Sequence, residues 1–125
     1  MRRGKVITAI VLGMAVLAGV AVYAFRRPAD YHTPAYNMRF KIPIYAESVQ
    51  NYREARGRYP TTEEGLEQLV REGMLRQVPR DDWGNALVYR YPTERKDVPF
   101  ELCTLGEDGK LGGEGTNADI CNWKR

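Results

Sequence analysis

The chain has 125 residues, a formal net charge of +3, two cysteines and a single histidine, His32. That length holds one modest domain, or a small domain with an appendage, and excludes most multi-domain enzymes. Five of the 19 basic residues and none of the 16 acidic ones fall within residues 1–27, so that segment carries +5 and the rest of the chain −2. The molecule is not a basic protein with a nucleic-acid partner. It is a mildly acidic domain behind a basic, apolar N-terminus, and one histidine excludes multi-histidine metal centres.

Residues 6–25 (VITAIVLGMAVLAGVAVYAF) carry no charge. As a helix they would span about 30 Å, the thickness of a bilayer core. Arg2, Arg3 and Lys5 precede the run, Arg26 and Arg27 follow it, and Pro28 stops it,. Residues 1–27 are therefore expected to form a transmembrane anchor with a cytoplasmic N-terminus. The competing reading is a signal-like segment cut after Ala24. Both readings put the remainder outside the cytoplasm, either in the periplasm behind the inner membrane or outside the cell.

Residues 28–39 are polar with two prolines and read as a linker, which leaves residues 40–125 as the domain. Ile42, Tyr45, Val49 and Tyr52 fall on one helical face, with Pro43 suited to the first turn and Gly57 to the end. Thr61 followed by Glu64 is a capping box, and Leu66, Leu69 and Val70 form the stripe of a second, shorter helix. Residues 79–85 (PRDDWGN) are turn chemistry. Residues 86–91 and 100–105 read as strands. The fold class is α+β: a long helix on a small antiparallel sheet.

Residues 106–119 (GEDGKLGGEGTNAD) gather five glycines and four carboxylates, Glu107, Asp108, Glu114 and Asp119, against one lysine. Carboxylates crowded into a tightly curled loop repel one another unless a cation sits among them, and calcium takes six to eight oxygens, hydroxyls and carbonyls included. The spacing is neither an EF-hand nor a phosphate loop. Composition leaves two readings open, a calcium site and a solvated surface turn. Cys103 and Cys121 flank the loop. In an oxidising compartment they are expected to form a disulfide, the alternative being two buried thiols. No nucleophile–base arrangement can be assembled, so neither an enzymatic activity nor a small-molecule substrate is expected.

Residues 51–70 (NYREARGRYPTTEEGLEQLV), 79–91 (PRDDWGNALVYRY) and 105–123 (LGEDGKLGGEGTNADICNW) together resemble the major pseudopilins of type II secretion, the general secretion pathway protein G family. The resemblance implies a pilin-like fold, calcium in the C-terminal loop, and other pseudopilin or secretion-system subunits as partners. By position it implies side-chain ligands at Asp108 and Asp119, a backbone carbonyl at Leu105 and a further oxygen at Thr116, with Glu107 and Glu114 as additional candidates. The departure lies at the N-terminus. Family members have a Phe after the leader glycine and a Glu at the fifth mature position, whereas here Gly4 is followed by Lys5-Val6-Ile7-Thr8-Ala9. The resulting expectation is a pseudopilin-like structural component, with a non-polymerising, membrane-anchored calcium-binding module as the alternative.

Overall fold

The computed structural model describes residues 13–17 and 33–123. The chain divides into two compact units, Met1–Tyr31 and His32–Arg125. In the first, residues 13–17 are helical. The rest of the expected anchor, and with it His32, lies outside the described residues. Among the described residues no helix is long and apolar enough to cross a membrane.

The second unit starts with helix α1, Pro34–Arg56. Thr33 caps it: its backbone is extended and its hydroxyl accepts the Tyr36 N–H at 3.2 Å,. Pro34 sits in the first turn, where its missing N–H costs nothing,. The helix closes at Gly57, whose φ of 73° is left-handed and whose N–H donates to the Arg53 carbonyl,. This corrects the linker expected over 28–39, because residues 34–39 are helical, and Pro43 lies inside the helix rather than at its start. An internal proline removes one helical hydrogen bond, a cost of about 3 kcal/mol. Here Pro43 and Arg39, whose carbonyl loses that partner, are both exposed. Burial of Met38 and Ile42 in the same turns offsets the loss,.

The capping box forms as expected. The Glu64 N–H donates to Thr61 Oγ1 at 3.2 Å, and the Thr61 N–H donates to Glu64 Oε2 at 2.9 Å. It closes a turn rather than the regular helix, because Gly65 follows with φ of +60°. The second helix, α2, is therefore only Glu67–Arg71. Leu66 and Leu69 point into the core, and Met74 and Leu75 pack against it partly buried.

The sheet has three antiparallel strands in the order β1-β2-β3: β1 Val88–Arg90, β2 Glu101–Thr104 and β3 Ile120–Cys121. The first two are shorter than the sequence suggested, and the third was not anticipated as a strand. Val88 opposes Cys103, and Cys103 in turn opposes Cys121. Tyr52, Phe100, Met38, Ile42, Leu69, Leu102 and Val49 are fully buried between α1, α2 and the sheet.

Glu64 does more than cap. Both its oxygens receive the Arg58 guanidinium, at 2.7 and 2.8 Å. That fork, and secondarily the Thr61 N–H, holds its carboxyl down at about 2 against an ordinary value of 4.5. A depressed folded value means a stabilisation that is complete above pH 4.5 and lost as pH falls towards 2,. Glu64→Gln is therefore expected to flatten the acid limb of a Tm-against-pH profile within that window. An unchanged slope there would remove the assignment.

Candidate functional site

The glycine-rich loop leaves β2 at Thr104 and returns at β3. Its arms meet closely. A Cβ on Gly106 would lie 2.5 Å from the Asn117 backbone, and one on Gly113 would lie 2.7 Å from the Asn117 carbonyl oxygen. With φ of +70° at Gly106 and +91° at Gly113, only glycine fits either place,. The Glu107 N–H donates across the loop to the Thr116 carbonyl at 2.9 Å, and a short 3-10 turn, Gly115–Asn117, leads into β3.

Within this frame Asp108 Oδ1 accepts the Lys110 N–H at 3.1 Å, and Asp119 Oδ2 accepts the Gly112 N–H at 3.0 Å. The other Asp119 oxygen, Oδ1, is buried and has no hydrogen-bond partner. An unsatisfied buried carboxylate oxygen costs at least about 1–3 kcal/mol, so the loop carries a polar group whose burial it does not itself compensate. Glu107, Asp108, Glu114 and Thr116 are exposed, and Leu105 is half-buried. Among the described residues no three His, Cys, Asp or Glu side chains come together as a metal cluster. Glu107, Asp108, Glu114 and Asp119 therefore do not supply a group of three carboxylates. What it offers is two aspartates, a hydroxyl and backbone carbonyls, all hard oxygen donors.

Cys103 and Cys121 form a disulfide with Cα atoms 4.1 Å apart, which ties the two ends of the loop together. The preceding turn, residues 79–85, is tied to the same place. Asp81, 5% exposed, accepts the Trp83 and Asn85 N–H groups on Oδ1 and the Thr104 hydroxyl on Oδ2. Thr104 Oγ1 accepts the Gly106 N–H at 3.2 Å, and Asn85 Nδ2 donates to the Gly106 carbonyl at 3.0 Å. On the other side Asp82 pairs with Lys41 and accepts from Asn37 Nδ2 at 2.8 Å, which fastens the turn to α1. Lys41 holds the Asp82 carboxyl below its ordinary range. Sequence reasoning identified this segment as a turn but missed Asp81, Asn85 and Thr104 as supports of the loop. An aspartate two residues ahead of a turn N–H was the available signal.

A long capped helix laid on a three-stranded antiparallel sheet, with a disulfide-clamped loop beyond it, places the domain in the pilin class. The crystal structure of the major pseudopilin from the type 2 secretion system of enterohaemorrhagic Escherichia coli matches it with a TM-score of 0.57 at 27% identity, covering 78% of this chain and 92% of that one. Residues 29–123 match the family described as type II secretion system (T2SS), protein G, and the chain belongs to that family. Type II secretion system core protein G of Vibrio cholerae is 39% identical over 66% of this chain and 63% of its own length. The protein of the same name from Pseudomonas aeruginosa is 37% identical over 66% of this chain and 66% of its own. The chain thus spans just under two thirds of the length of these relatives.

Proposed function

We propose that the chain is a pseudopilin-class structural subunit of a type II secretion machine. Residues 6–25 would anchor it in the inner membrane, with the domain on the periplasmic side, and other pseudopilin or secretion-system subunits would be its partners. Membership of the protein G family supports this reading. The role is mechanical and asks for no catalytic group.

We further propose that calcium orders the 106–119 loop. The observation behind this is the buried, partnerless Asp119 Oδ1, set in a loop of net charge −3. Asp119, Asp108, the Leu105 carbonyl and Thr116 would hold the ion, with water completing the shell. When bound, the ion supplies positive charge that offsets carboxylate repulsion and the burial of Asp119. An ordered loop then presents a fixed surface to a neighbouring subunit.

Adding calcium at about a hundred times its Kd is expected to stabilise the domain by about 2.7 kcal/mol. A chelator should lower Tm accordingly, and Asp108→Ala should abolish that sensitivity. A wild-type melt indifferent to chelator would remove the calcium reading and leave the family assignment intact. The alternative, an anchored module that does not polymerise, draws its support from the sequence Lys5-Val6-Ile7-Thr8-Ala9 after Gly4. Sequencing the mature N-terminus separates the two. A start at Lys5 marks pilin-type processing, and a start at Met1 or Phe25 marks the alternative.

A further inference from the structure

Gly106 is the first residue of the loop and, like its other glycines, an adaptable joint, since φ of +70° is accessible to it without strain and many other values are too,. Both peptide planes that meet there are nevertheless held from outside the loop. The plane joining Leu105 to Gly106 is held through its N–H, which donates to Thr104 Oγ1 at 3.2 Å. That hydroxyl is not free to turn away, because Thr104 is fully buried and donates its own proton to Asp81 Oδ2 at 2.7 Å. The plane joining Gly106 to Glu107 is held through its carbonyl, which accepts Asn85 Nδ2 at 3.0 Å and the Gly109 N–H at 3.3 Å. The Glu107 N–H of that plane reaches the Thr116 carbonyl at 2.9 Å.

A peptide unit is planar and trans, so its N–H and its C=O point in opposite directions within one plane. Fixing the Gly106 N–H on Thr104 therefore fixes the direction of the Leu105 carbonyl. Fixing the Gly106 carbonyl on Asn85 keeps the following plane in register with the Thr116 arm. The Asn85 amide also lies beneath the first turn, 3.6 Å from where a Gly109 Cβ would stand. Asp81 supports both holds at once, because its second oxygen accepts the Asn85 N–H at 2.7 Å.

We infer that Thr104 and Asn85, both organised by Asp81, are positioning residues for the calcium site: they aim the Leu105 carbonyl and fix the Leu105-Gly106-Glu107 backbone before an ion arrives. The inference rests on the calcium reading of the loop. Groups that orient metal ligands without touching the metal typically govern affinity by 10–100-fold. Asp82 is the internal contrast. It belongs to the same turn, but its side chain binds Asn37 and Lys41 of α1 rather than the loop.

The test is calcium titration calorimetry on the full, disulfide-intact chain in detergent, paired with melts in chelator. Asn85→Ala and Thr104→Val are each expected to weaken calcium binding about tenfold or more. Thr104→Ser, which restores the hydroxyl, should return to within about twofold of wild type, and so should Asp82→Ala. Asn85 is only half-buried, so Asn85→Ala remains informative even if Thr104→Val does not fold. A chelator-state Tm that falls while Kd stays at the wild-type value would show a purely structural role and overturn the inference. Wild-type binding with unaltered Kd in Asn85→Ala would overturn it alone. A wild type that takes no calcium would overturn it together with the calcium reading.

Discussion

Phe100→Ala is expected to destabilise the domain by about 3–5 kcal/mol. Phe100 is 1% exposed and stands at the threshold of β2. Its ring lies 5.3 Å from Tyr59 and 5.9 Å from Tyr89, centroid to centroid, so it joins the strand to the turn that follows α1. Those neighbours cannot easily collapse into the space it would leave. The Tyr89 hydroxyl donates to the buried Pro60 carbonyl at 2.8 Å, and the Tyr59 hydroxyl donates to Gln50 Oε1 at 2.8 Å. Burial above all, with neighbouring Tyr91, Tyr59 and Glu64 adding to it, pushes the Tyr89 hydroxyl well above its ordinary pKa, so it stays a neutral donor. Both rings are pinned at their polar ends, and a cavity persists. A domain of this size has a total stability of about 5–15 kcal/mol. Each kcal/mol moves Tm by about 4–8 °C, so the loss should appear as a fall of more than about 12 °C in a thermal melt. Phe100→Leu, which keeps most of the volume, should recover most of the loss. A cost below about 1 kcal/mol for the alanine would mean that Phe100 is not a wall of this core.

Features written in adjacent residues were legible in the sequence, and features written across it were not. The Thr61–Glu64 capping box needs only three residues of spacing, and it forms. The apolar face of Ile42, Tyr45, Val49 and Tyr52 follows from helical period alone, and all four reach the core. The start of α1 lies earlier than the sequence suggested, because two prolines in 28–39 read as linker composition. The extension back to Thr33-Pro34 goes with Met38, whose burial nothing local reveals. β3 was missed because two residues carry no period, and pairing with β2 alone makes them a strand. Gly65 shortened α2 because its left-handed backbone interrupts a pattern that otherwise reads as helix.

The candidate site divides in the same way. Glycine and carboxylate content marks residues 106–119 without any coordinates. Composition cannot say which carboxylate oxygen is buried without a partner, and only the fold singles out Asp119 Oδ1. The supports from Asp81 and Asn85 span 23 and 21 residues of sequence, so no local window contains both ends of either contact.

Removing the disulfide by Cys103→Ala with Cys121→Ala is expected to cost about 3 kcal/mol, the loop-closure contribution for a loop of this size. The two cysteines are 18 residues apart and directly opposed across β2 and β3. β3 is held besides by Ile120, which is buried in the core. It is two residues long, and its pairing is extended only by Asn122, whose N–H donates to the Leu102 carbonyl and whose side chain accepts the Leu102 N–H and donates to the Phe100 carbonyl. That side chain does the work of another strand residue, so β3 should still dock when the bridge is gone, but with its loop ends no longer covalently fixed. The expected signature is therefore uneven. Urea melts should show the loss of about 3 kcal/mol with one cooperative transition retained, while amide exchange quickens first between residues 106 and 119. Exchange in α1 at Met38 and Ile42 should follow only the global loss, because those residues are buried in the core of the domain. If exchange rises equally in α1 and the loop at matched global stability, the disulfide acts through the whole fold and not as a clamp on the loop. A cost under about 1 kcal/mol would mean that the Asn122 contacts and the sheet already hold the loop ends together without it.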